Sequence, residues 1–138
     1  MTSTSPVSVG YELPPFERTT GFGNWNRFAA VNYEFVDIHM DDEAGRAAGF
    51  DSAFGMGNLL WSYMHCLLDD WIDDRGRIEK LQCQFRRPNL KGMHLVARGV
   101  VTAVRDSDTG QSVDLDIWIE DADGTKLTPG TATVSLSR

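Results

Sequence analysis

One stretch limits the fold of this chain more than any other: "GNLLWSYMHCLLDDW", residues 57–71. Leu59, Leu60, Tyr63, Met64, Leu67, Leu68 and Trp71 recur at helical spacing along one face, and Trp61 and Cys66 widen the apolar surface. Such a helix has to be buried on more than one side. The segments that follow provide the cover. In "RIEKLQCQFRR", Leu81, Cys83 and Phe85 alternate with polar residues, as in a half-buried strand that Pro88 ends. "MHLVARGVVTAV" reads as a long strand with Gly99 as its bulge or bend. "QSVDLDIWIE" alternates Val113, Leu115, Ile117 and Ile119 with polar positions, "DADG" is a hairpin turn, and "TATVSLSR" alternates again.

The first half is more broken. "YELPPFERTT" contains Pro14 and Pro15 and reads as an extended arm. "GNWNRFAAVN" forms a short helix with Trp25, Phe28 and Ala29 on one side. "DDEAGRAAG" forms another, capped by Asp41 or Asp42 and ended by Gly49. Helices followed by four antiparallel strands predict an α+β fold, with the long helix packed on one face of a curled sheet. The 138 residues suit a single domain, 1–138, with a small, polar and flexible N-terminus over residues 1–10.

Charge narrows the partners. A formal charge of −7 disfavours phosphate backbones, so nucleic acid is not an expected ligand. The only dense basic groups are Arg75 with Arg77 and Arg86 with Arg87, enough for a small anionic ligand. No stretch has the length of a membrane span, and the N-terminus lacks a basic region followed by an apolar run, so a soluble cytoplasmic protein is expected. Cys66 and Cys83 have no metal-ligand spacing, so free buried thiols and no bound metal are expected.

Ahead of the long helix lies "YEFVDIHMDDEAGRAAGF", in which Glu34 stands five residues before His39, with Asp37 between them. Taken alone this is a charged turn that includes a histidine. The wider pattern changes its meaning. From Glu34 to Leu60 the chain resembles the hydratase signature of the MaoC-like (R-specific) enoyl-CoA hydratases. That signature runs Asp-x-Asn-Pro-x-His, then x-Asp, a short alanine-rich helix, Gly-Phe, and His-Gly-Met at the start of the long helix. Glu34 falls on the aspartate, His39 on the histidine, Asp41 on the following aspartate, Gly49-Phe50 on Gly-Phe and Gly57 on the glycine, with no gap from His39 to Gly57. "LQCQFRRPNLKGMHLVARGVVTAV" resembles the family's strand, Phe-x-x-Pro turn and strand. "EFVDIHMD" is most similar to the one-domain hydratase subunits of actinobacterial steroid side-chain degradation, which work beside a second hotdog chain.

The resemblance implies a hotdog fold and hydration of a 2-enoyl-CoA thioester, or the reverse dehydration. It implies no separate cofactor, since coenzyme A is part of the substrate. Glu34 and His39 would hold the attacking water and share the proton transfer. The Gly57 N–H, at a helix start, would stabilise the thioester oxygen, although a glycine there also serves chain reversal or close packing. Arg86, Arg87 and Lys91 would meet coenzyme A phosphates, against a plain reading as strand-edge charge. The sequence departs from the signature at Glu34 for Asp, at Val36-Asp37 for Asn-Pro, and at Met56 for His. The longer Glu34 shifts its carboxylate by roughly one ångström, which costs on the order of a hundredfold in rate if uncompensated. Asp37 is the backup carboxylate. A thioesterase, or a non-catalytic hotdog subunit completing a partner's site, is the alternative activity. A sheet edge exposed in such a fold predicts a homodimer or a heteromer with a second hotdog chain. His65 and His94 are read as structural. Trp118, on a polar strand face, is read as an interface residue or a contact of the N-terminal arm.

Overall fold

The computed structural model describes residues 6–137. The chain runs β1 (Phe16–Thr19), α1 (Phe22–Asn32), a 3₁₀ turn (Asp37–His39), α2 (Asp42–Ala47), α3 (Gly57–Ile72), β2 (Gly76–Cys83), β3 (His94–Ser107), β4 (Gly110–Glu120) and β5 (Lys126–Ser137). The five strands form one antiparallel sheet in the order β1-β3-β4-β5-β2, with α3 packed on its inner face. This is the α+β arrangement that the long apolar helix and the alternating strands predict, and the hotdog fold that the resemblance implies.

The pairing explains the core. Ile119, Ile117 and Leu115 lie opposite Ala97, Gly99 and Val101 on one side, and Leu115 and Val113 lie opposite Ala132 and Val134 on the other. Their inner faces meet Leu60, Met64, Leu67 and Leu68 of α3, all buried. Each such side chain contributes about 2 kcal/mol relative to exposure. No described helix is long and apolar enough to cross a membrane.

Several details differ from expectation. The proline-bearing arm becomes a fifth strand, because Phe16–Thr19 pairs with His94–Ala97. The irregularity in β3 is an extra residue at Thr102, between Val101 and Ala103, and not at Gly99. Gly99 instead permits close packing, since a Cβ there would come within 3.3 Å of Leu13 and Ile117. β2 ends at Cys83, so Phe85 is an exposed loop residue and not a strand position. Cys66 and Cys83 are free but only half-buried, and desolvation raises the pKa of both thiols. Of the N-terminus expected to be flexible, residues 1–5 lie outside the described residues. Within the rest, the Val7 N–H donates to Gln111 Oε1 at 3.0 Å and the Gly10 N–H to the Val101 carbonyl at 2.8 Å. Trp118 is half-buried: Lys126 Nζ sits 4.4 Å over its ring and its N–H donates to Glu120 at 2.8 Å.

Candidate active site

His39 ends the 3₁₀ turn and is buried, at 7% exposure. Asp41, two residues on, caps α2 by accepting the Ala44 N–H at 3.1 Å. That cap and the short turn fix the backbone on which the imidazole stands. The His39 ring is held by residue 54. Its Nδ1 lies 2.7 Å from the Phe54 carbonyl, and the Phe54 N–H donates back to the Ile38 carbonyl at 3.1 Å. The Phe54 ring stands edge-on to the imidazole at 5.6 Å. A carbonyl only accepts, so Nδ1 carries a proton, and the tautomer this selects has its lone pair on Nε2.

His39 lines a cavity of about 300 Å³ together with Phe50, Phe54, Gly57, Leu60 and Phe85. Gly57 is the first residue of α3. Its N–H has no backbone partner among the described residues and lies at the positive end of the helix. Space is tight here: a Cβ would come 2.8 Å from the Phe85 ring unless that exposed ring moved. The cavity lining therefore includes a histidine whose Nδ1 is committed to Phe54 and the first residue of a helix. That combination can take or give a proton beside a stabilised oxyanion.

The carboxylates lie elsewhere. Glu34 follows Tyr33, which takes a left-handed conformation (φ 57°, ψ 35°) to turn the chain at the end of α1. The Glu34 N–H donates to the Ala29 carbonyl at 3.1 Å. Glu34 lines a separate depression of about 520 Å³ with Phe28, Phe35, Asn58, Trp61 and Ser62. The two hollows share no residue; Gly57 borders one and Asn58 the other, so the first turn of α3 stands between them. Asp37 is exposed at the start of the 3₁₀ turn and lines neither hollow.

Arg86 and Arg87 are exposed and border the His39 cavity. Arg86 donates to Gln84 Oε1 at 2.6 Å. Lys91 is already paired: its Nζ lies 2.7 Å from Asp42 Oδ1 and 4.6 Å over the Phe22 ring. The Lys91 hydrogen bond, with a second from the Ala53 N–H, lowers the Asp42 pKa. His65 donates within its own helix, from Nδ1 to the Trp61 carbonyl at 2.9 Å, and His94 contacts Thr19 and Glu17. Burial of the Tyr63 hydroxyl, which accepts from Asn24 at 3.3 Å, raises its pKa on the far side of α3.

Asn89 went unnoticed in the sequence, where "NLKG" reads as a turn. It is fully buried, accepts the Trp25 indole N–H at 2.8 Å, and lies against the Gly55–Met56 backbone. An asparagine directly after the turn proline, with a tryptophan and a glycine to receive it, is the signal that marks it.

No family model and no curated protein matches the chain. Solved structures do. An (R)-hydratase from A. caviae involved in PHA biosynthesis is 24% identical, with 97% of this chain and 99% of that chain covered and a TM-score of 0.85. A MaoC-like dehydratase from Rhodospirillum rubrum is 18% identical, covering 96% of this chain and 94% of that one at a TM-score of 0.83. The ChsH1–ChsH2 complex from Mycobacterium tuberculosis contains a chain 19% identical, covering 94% and 98% at a TM-score of 0.82. The chain thus has the hotdog fold of the (R)-hydratases and MaoC-like dehydratases, over nearly its whole length.

Proposed function

We propose that this protein hydrates a 2-enoyl-CoA thioester to the 3-hydroxyacyl-CoA, or runs the reverse dehydration. The observation that carries the reading is the His39–Phe54 hydrogen bond, which selects the tautomer with its lone pair on Nε2, on a residue that lines the same cavity as Gly57. In the hydration direction His39 Nε2 takes a proton from water as the water oxygen bonds to C3. The C2–C3 π pair moves toward the thioester carbonyl, whose oxygen gains charge opposite the Gly57 N–H. A proton then reaches C2, and the sum is one water added across the double bond. Glu34 is the carboxylate that orients this water in the reading carried from the sequence, and Asp37 its substitute. Arg86 and Arg87 meet the coenzyme A phosphates at the cavity mouth.

A cavity of about 300 Å³ holds the reacting end of an acyl thioester and leaves the rest over neighbouring surface. A second hotdog chain, identical or different, completes that surface. The separation of Glu34 from the His39 cavity favours a second reading, in which this chain contributes the imidazole and the oxyanion N–H while a partner supplies the carboxylate.

The test is hydration of linear and branched 2-enoyl-CoA thioesters by the purified protein, alone and mixed with candidate hotdog partners. Loss of the conjugated-thioester absorbance without release of free thiol supports the reading. Thiol release makes the protein a thioesterase. Unchanged absorbance throughout removes the hydratase assignment.

A further inference from the structure

We infer that Asn89 is the positioning residue that sets the direction of the Gly57 N–H and, through the same segment, of the Phe54 carbonyl; the inference deepens the proposed function and rests on that reading of His39 and Gly57. A fully buried amide is costly unless its polar atoms are matched, and a leucine of similar size would fill the space without that cost. Asn89 is matched at three points. Its Oδ1 accepts the buried Trp25 indole N–H at 2.8 Å, its Nδ2 donates to the Met56 carbonyl at 3.4 Å, and its own carbonyl accepts the Gly55 N–H at 2.7 Å.

The last two contacts act on two functional peptide groups, Phe54–Gly55 and Met56–Gly57, with one peptide between them. In a trans peptide the C=O and N–H point in opposite directions. The Met56 carbonyl is held from two sides, by the Leu59 N–H at 3.2 Å and by Asn89 Nδ2 at 3.4 Å, so the Gly57 N–H of the same peptide must point the other way. With the Gly55 N–H held by the Asn89 carbonyl, the Phe54 carbonyl must also point the other way, which is where His39 Nδ1 meets it. Gly55 lets this segment lie flat on the pair, since a Cβ there would overlap both Asn89 Oδ1 and Trp25 Nε1. Trp25 in turn fixes which end of the amide faces Met56. With Oδ1 committed to the indole, Nδ2 is the end left for a carbonyl.

The experiment compares the parent with Asn89→Leu in steady-state hydration and in the ¹H–¹⁵N resonance of Gly57. The expected result is a fall in kcat of about tenfold to a hundredfold, below the full cost of removing an oxyanion donor because the Leu59 N–H still holds the Met56 carbonyl. KM changes much less, and the Gly57 amide resonance shifts. Should Asn89→Leu fail to fold, Trp25→Phe is measured in the same way, since it frees the Asn89 amide to rotate while keeping an aromatic ring. A folded variant with a lower melting temperature but unchanged kcat, KM and Gly57 resonance overturns the inference. If the parent hydrates no thioester, the proposed function fails by itself. The Gly57 resonance in the variant then decides the inference about peptide orientation alone.

Discussion

The His39 ring and the Phe54 carbonyl are joined by a 2.7 Å hydrogen bond across 15 residues of chain. The contact decides the tautomer of the imidazole and ties the 3₁₀ turn to the segment entering α3. His39→Gln removes the basic nitrogen while keeping a polar side chain near the Phe54 carbonyl. Turnover should fall by at least about a hundredfold, with KM little affected. Steady-state hydration kinetics, with circular dichroism to confirm folding, checks this.

Gly57→Ala puts a methyl group 2.8 Å from the Phe85 ring. Because Phe85 is exposed, the ring can swing aside and the protein should fold with a loss of less than about 1.5 kcal/mol. The displaced ring narrows the cavity at the oxyanion position, so kcat/KM should drop by an order of magnitude or more. Gly57→Ala combined with Phe85→Ala should recover part of it. Failure of the double variant to recover any activity would place the defect in the backbone and not in the ring.

Glu34→Gln keeps size and removes charge. If Glu34 is the working carboxylate, this change should abolish most turnover, Glu34→Asp should stay within about a hundredfold of the parent, and Asp37→Asn should be mild. The reverse order would make Asp37 the partner of His39. Indifference to all three changes, in a complex that turns over, would assign the carboxylate to the second chain.

Acid should weaken one cross-strand contact on the outer face of the sheet. The Arg105 guanidinium pairs with Asp114 at 2.9 Å and Thr133 donates a further hydrogen bond, which lowers the Asp114 pKa from 3.8 to about 2. The folded value is depressed, so the pair's contribution is fully present above the unfolded pKa and is lost as pH falls from about 4 through about 2. Solvent screening keeps that contribution small. Asp114→Asn should therefore melt below the parent at pH 5, and the difference should close by pH 2. A gap of constant size across that range would show that carboxylate ionisation is not its source.

The sequence was most legible where contacts follow from period. The apolar stripe of α3 and the alternation in β4 and β5 are local patterns, and the structure has them where expected. β1 was hidden because four residues after two prolines become a strand only by pairing with β3, far along the chain. In β2, Ile78 and Leu81 both face inward although three positions apart, because Glu79 is an extra residue; strict alternation cannot anticipate this. The site divides in the same way. The resemblance to the hydratase signature points to His39 and Gly57, and these two residues share a cavity. The placing of Glu34 along a different hollow, and the Asn89 contacts to the Gly55–Met56 backbone, depend on where separate segments meet.

The extra residue in β2 also bears on how the sheet meets other sheets. It divides the strand into Gly76–Ile78 and Lys80–Cys83, which run out of phase by one residue along an edge that carries Arg77, Glu79 and Lys80. A straight foreign strand can stay in register with one segment only. The opposite edge, β1, is four residues long. A bulge on one border and a four-residue strand on the other both disfavour repeated strand addition.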